Sequence, residues 1–114
     1  YEDIATILFF PNEIGVLLGH GDGTFGAIRR FNNDRCATSY SLAVDDINGD
    51  GYLDLAVASW YQRVCILLGD GIGNFVQTTP LPLPSYSNPK ALATGDINND
   101  HRRDIVTANT GINN

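Results

Sequence analysis

The chain has 114 residues, of which 43% are hydrophobic, and its formal net charge at pH 7 is −6. The acidic balance argues against nucleic acid as a partner, because phosphate backbones are bound by basic patches. Membrane insertion is not expected either, since no apolar run approaches the roughly 18 residues of a membrane span and the first residues lack a basic-then-apolar signal pattern.

Residues 1–33 predict a partial unit of three short strands, which we call B, C and D to match the complete unit that follows. Apolar and β-branched runs place strand B at about 3–8, strand C at about 14–18 and strand D at about 24–31. A glycine-rich stretch at 19–23 lies between C and D. Because a strand follows this stretch, and not a helix, it is interpreted as a hairpin turn and not as a phosphate-binding loop.

Residues 41–80 predict one complete unit of four strands, A to D. The four strands are expected at about 41–45, 53–58, 64–68 and 74–79. The proline-rich segment at 80–89 cannot form a central strand, because proline lacks a backbone donor, and is expected to cross to the next unit. Residues 90–114 then supply a partial unit with strand A at about 91–95 and strand B at about 104–108.

A nine-residue acidic loop joins strands A and B at 46–54 and occurs again 50 residues later at 96–104. Oxygen-bearing side chains stand at loop positions 1, 3, 5 and 9, where a tight turn can direct them to one hard cation, and a main-chain carbonyl at position 7 would add a ligand. The predicted ligands are Asp46, Asn48, Asp50, Tyr52 (carbonyl) and Asp54 in the first loop and Asp96, Asn98, Asp100, Arg102 (carbonyl) and Asp104 in the second. All-oxygen ligands with several carboxylates favour calcium over zinc or magnesium, so up to two Ca²⁺ per chain are expected.

Two other kinds of loop share parts of this pattern. An EF-hand is rejected because its position 12 would be Val57, inside a strand, where a bidentate glutamate is required. A pair of plain Asn/Asp/Gly-rich hairpin turns is the simpler interpretation. In the second loop Asn99 and His101 replace Gly49 and Gly51, and they adopt positive φ at a greater cost than glycine, so a weak or empty second site is an alternative there.

The rest of the chain repeats with the same period of 50 residues. The segment 17–19 aligns with 67–69, and Phe25 aligns with Phe75. The two phenylalanines are predicted to lie in the core between units. A period of this size indicates a solenoid, a propeller or an array. Four antiparallel strands followed by a crossover are the organisation of a β-propeller blade. The predicted fold is therefore all-β, with β-propeller blades of four antiparallel strands and about two blades in the chain.

The first residues resemble the end of a third acidic loop. Asp3 aligns with Asp54, as the ninth residue of a loop whose first eight residues are absent. This favours a piece of a longer array, in which the adjacent blades belong to the rest of the chain. The alternative is a homo-oligomer whose copies close a ring together.

Residues 44–57 and 66–75 closely resemble the FG-GAP (VCBS-type) repeat of integrin α-subunit propellers and of many secreted or surface proteins. In that family the loop between strands A and B binds calcium, which the resemblance carries to the eight Asp and Asn side chains named above. The resemblance therefore implies a calcium-binding propeller segment of an extracellular or cell-surface adhesion or recognition protein, with calcium in a structural role.

Four aromatic residues fall in equivalent turns between strands B and C, namely Phe9, Phe10, Trp60 and Tyr61. These turns lie on the propeller face opposite the calcium loops, which the family uses for ligands. Aromatic side chains there favour a protein or glycan ligand, so a lectin-like propeller is one alternative function. A self-assembling structural module is another. Packing of the four rings under neighbouring loops is the competing interpretation.

The remaining reactive residues give no support to catalysis. His20 and His101 lie in turns without a nucleophile at a motif spacing, so no enzyme activity is expected. Cys36 and Cys65 fall outside the repeat. A disulfide between them and two separate buried or loop thiols are both compatible with the sequence.

Overall fold

The computed structural model describes residues 1–111, which form three antiparallel sheets. The first sheet contains β1 (Ile4–Leu8), β2 (Glu13–Leu17) and β3 (Arg29–Asn32). The middle sheet contains β4 (Ser39–Asp45), β5 (Asp54–Ser59), β6 (Arg63–Gly69), β7 (Phe75–Gln77) and the two-residue β8 (Leu81–Pro82). The third sheet contains β9 (Pro89–Gly95) and β10 (Asp104–Asn109). The predicted all-β class is confirmed.

The strand order follows the predicted A to D succession. In the middle sheet β4, β5, β6 and β7 are neighbours in chain order, and β8 pairs with β6 beyond the end of β7. Pro82 thus lies in an edge strand, where the missing N–H is tolerated. Residues 112–114 of the predicted segment 90–114 lie outside the described residues.

Strand D of the first sheet differs from the prediction of about 24–31. Pairing after the turn begins with an isolated bridge between Gly19 and Phe25, stops near Gly26, and resumes only at Arg29 in β3. Residues 26–28 belong to no strand, and the side chain of Ile28 lies over Gly15 of β2.

Two apolar clusters hold the three sheets together. The cluster between the first and middle sheets is built from the buried residues Ile14, Val16, Leu55, Val57 and Leu67. The cluster between the middle and third sheets contains Ala56, Val64 and Ile66 with Leu92 and Ile105 packed on them. Strand β5 is buried along its whole length, because alternate side chains point to opposite faces and both faces are covered.

The two predicted core phenylalanines have different surroundings. Phe75 packs against the first cluster, with its ring centroid 5.4 Å from that of Phe31 in an edge-to-face arrangement. Phe25 is 39% exposed and belongs to neither cluster. It lies on the outer side of the first sheet, on which no other sheet packs among residues 1–111.

The crossover between the first and middle sheets is fixed by a disulfide. Cys36, in a short 3-10 turn at Asp34–Cys36, is bonded to Cys65 in β6, 29 residues further along the chain, and both are buried. Of the two sequence interpretations, the disulfide is therefore the one observed. The buried Asn33 supports the turn by donating through Nδ2 to the Cys36 carbonyl and to Ser39 Oγ, each at 3.0 Å.

Antiparallel pairing sorts the turns between two ends of the molecule. The loops 46–54 and 96–104 and the turns 19–24 and 69–74 lie at one, which we call the acidic end. The turns 9–12 and 60–62 and the crossovers lie at the other, which we call the aromatic end. All of the 13 Asp and Glu residues except Glu13 and Asp34 lie at or beside the acidic end.

Candidate metal centre

Loop 46–54 is wrapped around the side chain of its first residue. Asp46 Oδ1 accepts the backbone N–H of Gly49 at 2.9 Å and of Asp50 at 3.1 Å, and Oδ2 accepts that of Gly51 at 2.9 Å. Gly49 and Gly51 have φ of 77° and 89°, the left-handed region that glycine adopts without strain. The positive φ values predicted for the two glycines are confirmed.

The side chains at positions 3 and 5 also turn back onto the loop. Asn48 Oδ1 accepts the N–H of Asp50 at 2.9 Å, and Asn48 Nδ2 donates to Asp50 Oδ2 at 2.8 Å. Asp50 Oδ1 in turn accepts the N–H of Tyr52 at 2.8 Å. The side chains of Asp46, Asn48 and Asp50 are thus held together in one small turn.

Asp54, at position 9, is the first residue of β5 and is fully buried. Its Oδ2 accepts the N–H groups of Ile47 at 3.0 Å and Asn48 at 3.3 Å, while Oδ1 accepts the N–H of Gly69 at 2.9 Å. A buried carboxylate is tolerated only when it is well hydrogen-bonded. Asp54 therefore ties the acidic loop to the neighbouring turn between β6 and β7.

The second acidic loop reproduces this arrangement with different residues. Asp96 accepts the N–H of Asp100 at 3.0 Å on Oδ1 and of His101 at 2.8 Å on Oδ2. Asn98 Oδ1 accepts the N–H of Asp100 at 3.0 Å. Asn99 and His101 have φ of 61° and 65°, so they adopt the positive values predicted for them.

The remaining acid of the second loop, Asp104, is held less firmly than Asp54. Its Oδ2 accepts the N–H of Ile97 at 2.9 Å, and its side chain is only partly buried. Asp100 Oδ1 accepts the N–H of Arg102 at 2.9 Å, as Asp50 does with Tyr52. Both loops therefore contain the same turn, while its last acid is anchored differently.

The donor chemistry of the loops fits calcium. Each loop offers carboxylate and amide oxygens with no nitrogen or sulfur ligand. In the first loop Asp46 Oδ2, Asn48 Oδ1 and Asp54 Oδ1 each accept one N–H and retain a lone pair, whereas Asp46 Oδ1 and Asp54 Oδ2 each accept two. In residues 1–111, however, no three His, Cys, Asp or Glu side chains form a ready metal-binding group. The carboxylates face the loop amides, so calcium would add to an existing turn.

The two loops face each other across a cleft of about 550 Å³. The cleft is lined by Asp46, Ile47, Asn48, Gly49, Asp96, His101, Arg102 and Arg103. Arg103 Nε donates to Asp45 Oδ1 at 3.0 Å and so joins the second loop to the middle sheet. No sequence pattern predicts this pair, because its partners are 58 positions apart and meet only when the sheets stack.

The two turns between strands C and D are also closed by aspartates. Hydrogen bonds from the backbone and side chain of Asn74 and from the Ile72 N–H lower the pKa of Asp70. The Thr24 hydroxyl, 2.6 Å away, and the Thr24 N–H lower the pKa of Asp22. These contacts confirm the predicted hairpin turns.

Asp3 makes the contact expected from its alignment with Asp54. Its Oδ1 accepts the N–H of Gly19 at 2.8 Å, just as Asp54 Oδ1 accepts that of Gly69. The chain therefore contains three related acidic positions, each at the start of a strand B or immediately before one.

The four aromatic residues predicted to bind ligand lie at the aromatic end in two separate turns. Phe10 is 97% exposed and does not pack under a neighbouring loop, and Phe9 and Tyr61 are also exposed. Trp60 is the least exposed, because its ring contacts Tyr40 at a centroid distance of 6.0 Å. Among residues 1–111, no ring pair joins the turn 9–12 to the turn 60–62.

The fold and the loops together define a class of β-repeat protein, in which antiparallel sheets recur with an acidic loop between their first two strands. The sequence model of the FG-GAP-like repeat matches residues 1–57 and again residues 46–107. The chain therefore belongs to the FG-GAP-like repeat family. Comparison with curated proteins and with solved structures gave no match.

The described residues contain no helix of the length and apolarity needed to cross a membrane.

Proposed function

We propose that the chain is a calcium-stabilised segment of a β-propeller from an extracellular adhesion or recognition protein. The observation that carries this proposal is the matched pair of loops, each with oxygen side chains at positions 1, 3, 5 and 9 folded into the same turn. Calcium here is structural. It would be bound by Asp46, Asn48, Asp50, Asp54 and the Tyr52 carbonyl in the first loop and by their equivalents in the second.

A cation would relieve a repulsion that the loop amides only partly offset. Asp46, Asp50 and Asp54 are carboxylates within one nine-residue loop, and like charges at short range are unfavourable, most of all where water is excluded. Asp54 also links the loop to the turn at Gly69. Calcium bound to Asp54 would therefore stabilise the connection between the two turns as well as the loop itself.

Thermal unfolding with calcium and with a chelator tests the proposal. For a dissociation constant of ~10⁻⁴–10⁻³ M, typical of extracellular modules, 10 mM calcium would add about 1.4–2.7 kcal/mol of stability. A domain of this size should then show a rise in Tm of about 5 °C or more. Equal Tm values in the two conditions would overturn the calcium proposal.

Matched variants show which residues are responsible for the calcium-dependent rise in Tm. Asp46→Asn should remove the share of the calcium-dependent rise that comes from the first loop, since it replaces a carboxylate of that loop by a neutral amide. Asp34→Asn, an acid outside the loops, should leave the rise unchanged. Magnesium at the same concentration should give a smaller rise, because it gives up its waters reluctantly.

An extracellular location is supported by the disulfide. The bond between Cys36 and Cys65 is buried and ties the end of the crossover to the middle sheet. Disulfides of this kind persist in oxidising compartments and are rare where thiols are kept reduced. FG-GAP-like repeats are also typical of extracellular and surface proteins.

Further blades would fit both outer sides of the structure. Ile4 and Ile28 are 43% and 36% exposed on the outer side of the first sheet, and Val106 is 49% exposed on that of the third. The middle-sheet equivalents of Ile4 and Val106, which are Leu55 and Ala56, are buried by neighbouring sheets. The same contacts favour the second candidate function, a structural module whose copies assemble into a ring.

Mass measurement of the 114-residue chain in solution tests the second candidate. An assembly of defined size, lost on introducing a charge by Val106→Asp, would support it. A strict monomer at high concentration would overturn it and leave the calcium proposal untouched.

A further inference from the structure

Asn48 is the only asparagine in the sequence that is followed by glycine, and both residues lie on the exposed surface of the first acidic loop. The amide carbon of an asparagine side chain can be attacked by the backbone nitrogen of the next residue. The two atoms belong to adjacent residues, so they meet without loss of translational freedom. No atom lies within 4 Å of the position that a Cβ on Gly49 would occupy, so this nitrogen is not crowded from that side.

The loop places a hydrogen-bonding group on each partner of this attack. The Gly49 N–H donates to Asp46 Oδ1 at 2.9 Å, so a carboxylate that can take the proton already contacts the nitrogen. The side-chain carbonyl oxygen of Asn48 accepts the N–H of Asp50 at 2.9 Å. Negative charge develops on this oxygen during the attack, and an N–H directed at it stabilises that charge.

The second loop shares only part of this arrangement. Asn98 Oδ1 accepts the N–H of Asp100 at 3.0 Å, as in the first loop. The next residue is Asn99, however, and its side chain hinders attack by its own backbone nitrogen. Within residues 1–111 the Asn99 N–H donates no hydrogen bond to Asp96, which accepts the N–H groups of positions 5 and 6 of its loop. The second loop is therefore an internal control for the first.

We propose that Asn48 is a site of spontaneous modification, at which the side-chain amide becomes a carboxylate through a cyclic imide with Gly49. The Gly49 nitrogen forms a bond to Asn48 Cγ, and the bond from Cγ to Nδ2 breaks. Nδ2 leaves as ammonia with the proton that Asp46 has received from Gly49. Water then opens the imide, giving aspartate when it adds at Cγ and isoaspartate when it adds at the main-chain carbonyl.

Either product changes the first loop and leaves the second as it is. Aspartate adds a negative charge to a loop that already contains Asp46, Asp50 and Asp54. Isoaspartate adds a methylene group to the main chain inside the span in which Asp46 accepts the N–H groups of Gly49, Asp50 and Gly51. The isoaspartate form should therefore lose part of this turn. The modification goes beyond the proposed function and does not depend on calcium.

Peptide mass mapping of the full chain, incubated at neutral pH with a chelator so that no cation competes for Asn48, tests the proposal. The peptide that contains Asn48 should gain the mass of an amide-to-acid change about tenfold faster than the peptide that contains Asn98. Isoaspartate should appear at position 48, because direct hydrolysis of the amide gives aspartate alone. Equal rates at the two asparagines, or aspartate without isoaspartate, would overturn the proposal.

A reciprocal exchange tests the contribution of the glycine. Gly49→Asn introduces the residue that the second loop holds at the equivalent position with φ of 61°, and it should slow conversion of Asn48 about tenfold. Asn99→Gly should speed conversion of Asn98, because the side chain that hinders the attack is removed. Rates that stay as they are in both variants would contradict an attack by the following backbone nitrogen.

Asp46→Asn tests the proton acceptor. An amide oxygen still accepts the Gly49 N–H but cannot take its proton, so conversion of Asn48 should slow about tenfold. Asp34→Asn removes an acid outside the loops and should leave the rate unchanged. Unaltered or faster conversion in Asp46→Asn would show that its hydrogen bond does not promote the reaction and would overturn the mechanism proposed for this site.

Discussion

The two acidic loops share one turn and differ in what surrounds it. In both, the first acid accepts backbone N–H groups from positions 5 and 6 of its loop. Asp54 is buried and accepts three N–H groups, one of them from the neighbouring turn, whereas Asp104 is partly exposed and accepts one. The comparison teaches that a short motif is sufficient to form the turn, while firm anchoring of its last acid needs packed neighbours.

The largest expected difference between the loops is at position 9. Asp54→Ala leaves three N–H groups without their acceptor in a buried site and should lower the free energy of unfolding by about 3–5 kcal/mol. Asp104→Ala removes one partly exposed hydrogen bond and should lower it by about 1 kcal/mol. Urea unfolding of both variants in calcium-free buffer measures the difference. Equal losses would show that burial of Asp54 does not distinguish the loops.

The disulfide gives a test of whether that difference is local to the acidic end. Replacing both Cys36 and Cys65 by serine removes a covalent cross-link between residues 29 positions apart. The free energy of unfolding should fall by about 3–4 kcal/mol, because the unfolded chain gains conformational entropy. Because the bond lies on the crossover, away from both loops, the gap between Asp54→Ala and Asp104→Ala should persist in the serine background. A gap that disappears would mean that the crossover, and not the local packing, anchors Asp54.

The glycines of the first loop should account for a smaller difference. Gly51 has φ of 89° with no atom within 4 Å of an added Cβ, so Gly51→Ala should lower stability by about 1 kcal/mol through backbone strain alone. His101→Gly relieves the same strain in the second loop and should raise stability by about 0.5–1 kcal/mol. Thermal unfolding of the two variants checks the opposite signs, and two changes of the same sign would contradict this account.

The smallest expected effect is the pH response of the turns beside the loops. Hydrogen bonds from Asn74 and Ile72 hold the pKa of Asp70 below its ordinary value of 3.8. A group with a lowered folded-state pKa stabilises the fold above the unfolded value, and that stabilisation is lost as pH falls through the folded value. The Tm should therefore fall as the pH drops below the unfolded value of 3.8, and the Tm of Asp70→Asn should fall less. If the Tm of Asp70→Asn has the same pH dependence as that of the unsubstituted chain, the lowered pKa of Asp70 does not contribute to the loss of stability in acid.

Much of the fold was predictable because its signals are local. Strands B and C were placed within about two residues by their apolar runs, and Gly49 and Gly51 marked the bend of the first loop. Strand D of the first sheet was placed too early, since nothing in the local pattern shows where pairing stops near Gly26. The disulfide stayed undecided because a cysteine pair is defined by distance in space and not by spacing along the chain.

The candidate site was predictable to the same extent. The residues of the two loops follow from alternating oxygen side chains, and the turns they form were expected. The pair Arg103–Asp45 and the contacts of Lys90 with Tyr40 and Trp60 were not, since each joins residues from different sheets.

The sequence by itself determined the period, the strand succession and the acidic turn, because these depend on side chains close together in the chain. Only the tertiary structure decided which of the acidic turns is anchored by buried, hydrogen-bonded neighbours. Stacking of the sheets buries β5 on both faces and gathers Lys90 with two aromatic rings at the opposite end, while the pairing of β5 with β6 brings Gly69 to Asp54. Burial and long-range hydrogen bonds arise between elements, so the two loops, nearly alike as sequences, have different surroundings in the folded protein.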